Sequence, residues 1–348
     1  AENARDVLDK MYEILNLSRE ADSTNDNIAE ISIKSNAYNL VLGSYSDSKN
    51  PELTSKTIDL FEKMISTWSQ RNDENKATQN TVPYPTENSF EYCFKSMRDL
   101  DNYDAVKNQS MQLLDHLEAM YDSEDLHFDI TTRAFNACLE VYTKVLSKDP
   151  TLLASIDIVL ERMRKASSQH PSVKPDITTY SLILKACSLA GSDISMRSDA
   201  WDRAKRTFQL LKNTELASST PGSKVEKWKM TDTCYFYMMK CVVNLVDDET
   251  EREELIMEFF TESCEKGLVS ANVLRLFKAS ISDEIYSGKV GSGRLANKWI
   301  ANVTSSKAIY SDISMGGGEK NARRKGKSTS GWMKKQRNRH QQKKTKTQ

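Results

Sequence analysis

Five pairs of residues, each pair four positions apart, hold the chemistry this chain has to offer: Asn39/Gly43, Glu91/Lys95, Asn136/Glu140, Ser181/Lys185 and Phe236/Lys240. The amide and hydroxyl groups of Asn39, Asn136 and Ser181 donate and accept hydrogen bonds at small desolvation cost, which suits the edges of nucleobases. Lys95, Lys185 and Lys240 carry the charge needed to meet phosphates. The same residues read equally well as a solvated helix surface, on which Glu91 and Lys95 form a local ion pair of a few tenths of a kcal/mol.

Each pair begins one residue after an aromatic anchor, and the anchor opens a stripe of apolar or thiol side chains at i, i+3, i+4 and i+7. The five stripes are Tyr38/Val41/Leu42/Tyr45, Phe90/Cys93/Phe94/Met97, Phe135/Cys138/Leu139/Tyr142, Tyr180/Ile183/Leu184/Cys187 and Tyr235/Met238/Met239/Val242. At 3.6 residues per turn each stripe lies on one helix face, so the paired residues point away from it. Five copies of one stripe predict a helical repeat protein, which presents a long surface rather than a catalytic pocket.

A second helix follows each first one. Leu8-Asp9-Lys10-Met11, Phe61-Glu62-Lys63-Met64, Leu117-Glu118-Ala119-Met120 and Leu160-Glu161-Arg162-Met163 share an apolar-acid-x-Met ending, with Phe208-Gln209-Leu210-Leu211 a looser version. Trp201, Ala204, Phe208 and Leu211 continue the fourth seam. These Met and aromatic stripes are core packing. Pro85, the run Asp129-Ile130-Thr131-Thr132 and Pro175-Asp176 supply helix starts, with Asp and Thr able to cap free amides. The polar segments 69–83, 192–198 and 214–227 are expected to loop outward.

Residues 2–17 read as the second helix of a truncated copy, and Thr250–Lys266 as another second helix ended by Gly267. Val273, Leu276 and Phe277 mark a sixth first helix. From Ser287 the pattern fades, with Leu295, Trp299 and Ile300 expected to form a cap over 287–315. Beyond Gly316-Gly317-Gly318 the chain reads as a disordered basic tail, 316–348. In it Arg323, Arg324, Lys334, Lys335, Arg337 and Arg339 are candidates to neutralise phosphates, and Trp332 to stack on an unpaired base. A localisation signal or a solubilising tail has the same composition.

The zero net charge conceals an asymmetry. Of 49 basic and 49 acidic residues, twelve basic and one acidic lie in 316–348, which leaves 37 basic and 48 acidic in residues 1–315. An acidic body thus carries a basic tail, and only the tail favours polyanions electrostatically. No run of about 18 apolar residues predicts a membrane span. The six cysteines form no CxxC pair and only four histidines occur, so zinc and disulfide frameworks are not expected, which favours a reducing compartment. No GxxxxGK[ST], GxGxxG, HExxH or GxSxG motif is present, and Gly288-x-x-Gly291-x-Gly293 has no strand before it, so no enzyme activity, cofactor or metal is expected.

The arrangement PDITTYSLILKAC followed by A-x-x-x-F-x-x-L at 175–211 resembles a pentatricopeptide repeat. In that family a Pro-Asp-x-x-Thr-Tyr-Asn opening leads the first helix and Leu-Phe-x-x-Met closes the second. Asn36-Ala37-Tyr38-Asn39, Leu60-Phe61-Glu62-Lys63-Met64 and Ala134-Phe135-Asn136-Ala137 repeat these parts, and the resemblance covers about residues 1–286. The anchors are spaced 52, 45, 45 and 55 residues apart, longer than the family's repeat of about 35, and the acidic body departs from its usual basic groove. Tetratricopeptide and HEAT-like stacks share the same logic.

The resemblance implies an all-α fold, a right-handed α-solenoid of stacked helix-turn-helix units, whose groove holds single-stranded RNA. Asn39, Asn136 and Ser181 then fall at the base-contacting position, with Lys95, Lys185 and Lys240 beside the backbone, whereas Glu91 and Phe236 do not match the residues usual there. It further implies organellar RNA processing, stability or translation, in a mitochondrion or plastid, with proteins of an RNA-processing or ribosomal complex as further partners. No targeting peptide is visible in the chain. The alternative is a protein-interaction scaffold whose acidic groove takes a basic peptide while the tail touches RNA loosely; a nuclear location is the alternative address.

Overall fold

The computed structural model describes residues 6, 10, 35–48, 50–69, 83–100, 102–121, 131–219 and 229–290. Among them the structure is all helical, with twelve α-helices and no strand. Contacts divide the chain into two compact units, one ending at Met230 and one beginning at Thr231.

The first unit contains α1 (Ser35–Asp47), α2 (Pro51–Ser69), α3 (Glu87–Ser96), α4 (Tyr103–Tyr121), α5 (Thr132–Val145), α6 (Leu153–Gln169), α7 (Ile177–Leu189) and α8 (Ile194–Ser219). They work as four pairs. Within each pair the second helix packs on the first, and α1 packs on α3, α3 on α5 and α5 on α7. Each second helix also meets the first helix of the next pair, α2 on α3, α4 on α5 and α6 on α7.

The expected stripes form this interior. Tyr38, Leu42, Phe90, Phe94, Phe135, Leu139 and Leu184 are buried, as are Phe61, Met64, Leu117, Met163, Phe208 and Leu211 from the second helices. Burying each large side chain contributes about 1.5–3 kcal/mol, so the seams outweigh any single polar contact between pairs. Phe61 of α2 meets Phe90 of α3 edge-on, with centroids 4.8 Å apart at 72°.

Caps set where the first helices begin. Thr86, Thr131 and Asp176 precede α3, α5 and α7 in extended conformations. Asp176 forms a complete capping box: its carboxylate accepts the Thr179 amide N–H at 2.8 Å, and its own N–H donates to the Thr179 hydroxyl at 3.0 Å.

Two polar segments differ from expectation. Residues 194–198 and 214–219 are helical, forming the two ends of the 26-residue α8 rather than loops. The side chain of Asp193 accepts from the Ser195 N–H at 2.9 Å and starts the helix early, while Arg197 Nε donates to the Gly191 carbonyl. A local cap here overrides polar composition. Of the expected helix at 2–17 only Asp6 and Lys10 are described, and both are helical.

The second unit contains α9 (Asp232–Leu245), α10 (Glu249–Glu265), α11 (Ala271–Ser280) and α12 (Asp283–Val290). The first of these packs on α10 and α11, and α11 meets α12. Phe260 and Phe277 stack with centroids 3.6 Å apart at 3°. Gly267, at φ 67°, ends α10 as expected: its N–H donates to the Cys264 carbonyl at 3.0 Å, and the Leu268 N–H reaches back to Ser263 at 2.8 Å. In α11, Val273, Leu274 and Phe277 are buried, so Leu274 takes the place expected for Leu276. The helical pattern continues past Ser287 to Val290 and includes Gly288; the expected cap and Gly291 and Gly293 lie outside the described residues.

Candidate nucleic-acid interface

Asn39 sits one residue after its buried anchor on α1 and is half-buried. Its Nδ2 donates to the Thr86 hydroxyl at 2.9 Å, and its Oδ1 accepts from the Ser89 hydroxyl at 2.6 Å. Thr86 is the cap of α3 and Ser89 its third residue, whose hydroxyl also accepts the Thr86 N–H at 2.9 Å. Both ends of one amide therefore make one bond each to the start of the next pair.

Asn136 repeats this geometry on α5. Its Nδ2 donates to Asp176 Oδ1 at 3.2 Å, and the Thr179 hydroxyl donates to its Oδ1 at 2.7 Å. Because an ionised carboxylate only accepts, Asp176 fixes which way the amide faces. Each amide still has one N–H and one oxygen lone pair beyond these bonds.

The second pair carries Glu91 instead, and the contacts change with it. Here the cap Thr131 sends both its N–H and its hydroxyl to Glu87 Oε1, the former at 3.0 Å. Glu91 pairs with Arg133 of α5. The cap of α5 has Ala134 where α3 and α7 have Ser89 and Thr179, so no hydroxyl is available to meet an amide oxygen. Residue type and neighbouring cap thus change together.

Ser181 behaves differently. It is 8% exposed, and its hydroxyl donates to the Ile177 carbonyl of its own helix at 2.7 Å. Its donor is turned inward along α7, unlike the two amides.

Lys95 pairs with Asp47 at the end of α1. Arg98, not singled out from sequence, lies 3.3 Å from Glu140 of α5 and donates through Nε to the Lys95 carbonyl at 3.1 Å. Lys95 of α3, Arg98 of the turn that follows it and Arg133 of α5 each face a carboxylate of an adjacent pair. Lys185 and Lys240 are both half-buried. Gly43 permits a close approach: a Cβ there would stand 3.1 Å from the Tyr92 ring. Arg323, Arg324, Trp332, Lys334, Lys335, Arg337 and Arg339 lie outside the described residues.

The second helices carry a parallel device. Arg162 of α6 reaches Glu118 at 2.5 Å and Asp115 at 2.7 Å, both on α4. Arg203 of α8 pairs with Asp157 of α6 and with Asp199 at 2.9 Å.

No protein-family model matches this chain, and neither does any curated protein or solved structure.

The side chains placed above offer hydrogen bonding and charge. Among the described residues no group of three or more His, Cys, Asp or Glu is placed to hold a metal ion. The buried thiols are unsuited to nucleophilic work: desolvation pushes Cys187 up to about 12 and Cys264 to about 11, and raises Cys93 and Cys138 as well. No described helix is long and apolar enough to cross a membrane.

Sequence reasoning missed Thr86, Ser89, Asp176 and Thr179 as partners of the candidate residues. The signal was present as a cap-x-x-hydroxyl-aromatic pattern, Thr86-x-x-Ser89-Phe90 and Asp176-x-x-Thr179-Tyr180, following the two pairs that carry Asn.

Proposed function

We propose that the chain is a pentatricopeptide-like, right-handed α-solenoid that binds single-stranded RNA, in a mitochondrion or plastid, and acts in its processing, stability or translation. The observation that carries this reading is the shared register of Asn39 and Asn136, two half-buried amides held in one orientation by the cap of the following helix. A preset amide loses little freedom on meeting a base edge, and each retains a donor and an acceptor for it. Base contact is assigned to Asn39 and Asn136. Ser181 is assigned to packing, because its donor is engaged within α7. Lys185, Lys240 and the basic residues of 316–348 hold the backbone, and occupancy of the strand blocks nucleases or refolding.

A second reading has its own support. The carboxylates facing Lys95, Arg98 and Arg133 neutralise the first-helix face from within, which favours a scaffold that takes a basic peptide. Crosslinking followed by sequencing of the bound RNA, with crosslinked residues mapped, separates the two. Adducts at Asn39, Asn136 or their neighbours support RNA binding along the helices. Adducts confined to 316–348, with proteins retained after nuclease treatment, favour the scaffold.

A further inference from the structure

We infer that the outward face of α9 is a stacking site for an unpaired nucleobase, with Phe236 as the platform and Lys240 as the partner of the adjoining phosphate. This rests on the RNA reading above and adds a contact of a different kind to it. Phe236 follows the buried anchor Tyr235, the register at which α1 and α5 carry Asn39 and Asn136. Its ring is part-exposed and is braced by Tyr237, with centroids 5.1 Å apart at 65°. Lys240 stands one turn further along the same stripe and is part-exposed too.

The occupant follows from charge. The one acidic residue of the helix is Asp232 at its start, one turn before Phe236 and two before Lys240, and none follows it as far as Leu245. Among the described residues no ion-pair partner faces Lys240, whereas Lys95, Arg98 and Arg133 of the other unit all meet carboxylates. An aromatic ring beside a cation without a counter-charge fits a base attached to its phosphate. A basic peptide would find a single carboxylate on this stripe, Asp232, and the Lys240 ammonium opposes it. Stacking tolerates every base, so the site contributes affinity without sequence preference.

The test uses the full chain and fluorescein-labelled 12-nucleotide RNAs of poly(U), poly(A) and mixed sequence, read by anisotropy across salt concentrations. Phe236→Leu keeps the apolar contact but removes the stacking face. It should weaken binding of all three RNAs about five- to tenfold by roughly equal factors, while melting like the parent protein. Phe236→Trp should bind at least as tightly as the parent. Lys240→Gln should lower the salt dependence by about one counterion. A 4-thiouridine RNA should crosslink to the peptide containing Phe236. Parent-like affinity of Phe236→Leu, or a loss confined to one RNA sequence, overturns the stacking site while leaving the RNA reading intact. No binding of any RNA by the parent chain removes both.

Discussion

Asn136 donates from Nδ2 to Oδ1 of Asp176 at 3.2 Å, tying α5 to the cap of α7 forty residues further along the chain. The Thr179 hydroxyl closes the ring at 2.7 Å. Removing the amide deletes both bonds between the pairs, while Asp176 and Thr179 keep only those of their own capping box. Asn136→Ala should therefore cost about 1–2 kcal/mol in urea denaturation. Asn136→Asp should cost more near neutral pH, since it sets a second carboxylate against Asp176, and should recover part of that loss as the pH falls and the carboxyl protonates. Equal stability of the aspartate variant and the parent at pH 7 would show that the pairing contributes nothing.

The stripes were legible because a helix is a local object. Tyr38, Phe90, Phe135, Tyr180 and Tyr235 announce their faces within eight residues, and all five are buried. The fate of the residue after each anchor was not legible. Asn39 finds Thr86 at a separation of 47 and Asn136 finds Asp176 at 40, distances at which sequence periodicity carries no information. The failure at 192–198 has another cause. A polar run reads as a loop by composition, but Asp193 can cap as well as solvate, and the helix begins there. The caps Asp176 and Thr131 were visible as helix starts; that Asp176 also holds a side chain of the preceding pair was not.

Arg162 joins two second helices through separate carboxylates, Glu118 at 2.5 Å and Asp115 at 2.7 Å, and is itself only 17% exposed. Its guanidinium spans both because its donors form a planar fork. Arg162→Lys, a single point charge, should recover less than half of what Arg162→Ala loses. The alanine variant should lose about 1–3 kcal/mol by chemical denaturation. Full recovery by lysine would mean that charge alone, and not the fork, links α4 to α6.

Alkaline pH should expose the buried thiols. Burial is the main cause holding the Cys187 proton, with Arg203 pulling the other way, and moves the thiol from an ordinary 9.0 to about 12. The folded pKa lies above the unfolded one, so the contribution is complete below about pH 9 and disappears as pH rises toward 12. In that window the unfolded chain sheds a proton that the folded chain retains, and stability falls by up to about 1.4 kcal/mol per pH unit for this thiol. Cys187→Ala should give a correspondingly shallower decline of denaturation free energy between pH 9 and 11. Parallel curves for the two proteins would rule out this origin.

The ion pairs on the first helices give the RNA reading its most direct test, because they hold cations that a phosphate backbone would need. Lys95 is engaged by Asp47, a residue 65% exposed in its side chain, so the pair contributes little to folding, under about 0.5 kcal/mol. Asp47→Asn should leave the melting temperature nearly unchanged while freeing the Lys95 ammonium. If single-stranded RNA lies along these helices, that release should tighten binding about two- to threefold at low salt, and the gain should shrink as salt is added. Glu91→Gln should act the same way through Arg133, its partner on α5. Asp59→Asn, an exposed acid on α2, changes net charge equally at a site away from these pairs and should leave affinity within error. An equal response to all three substitutions would assign the effect to net charge and leave these helices without a specific role. No response to any of them, combined with loss of binding when 319–348 is deleted, would place the RNA on the basic tail alone and favour the scaffold reading for the helices.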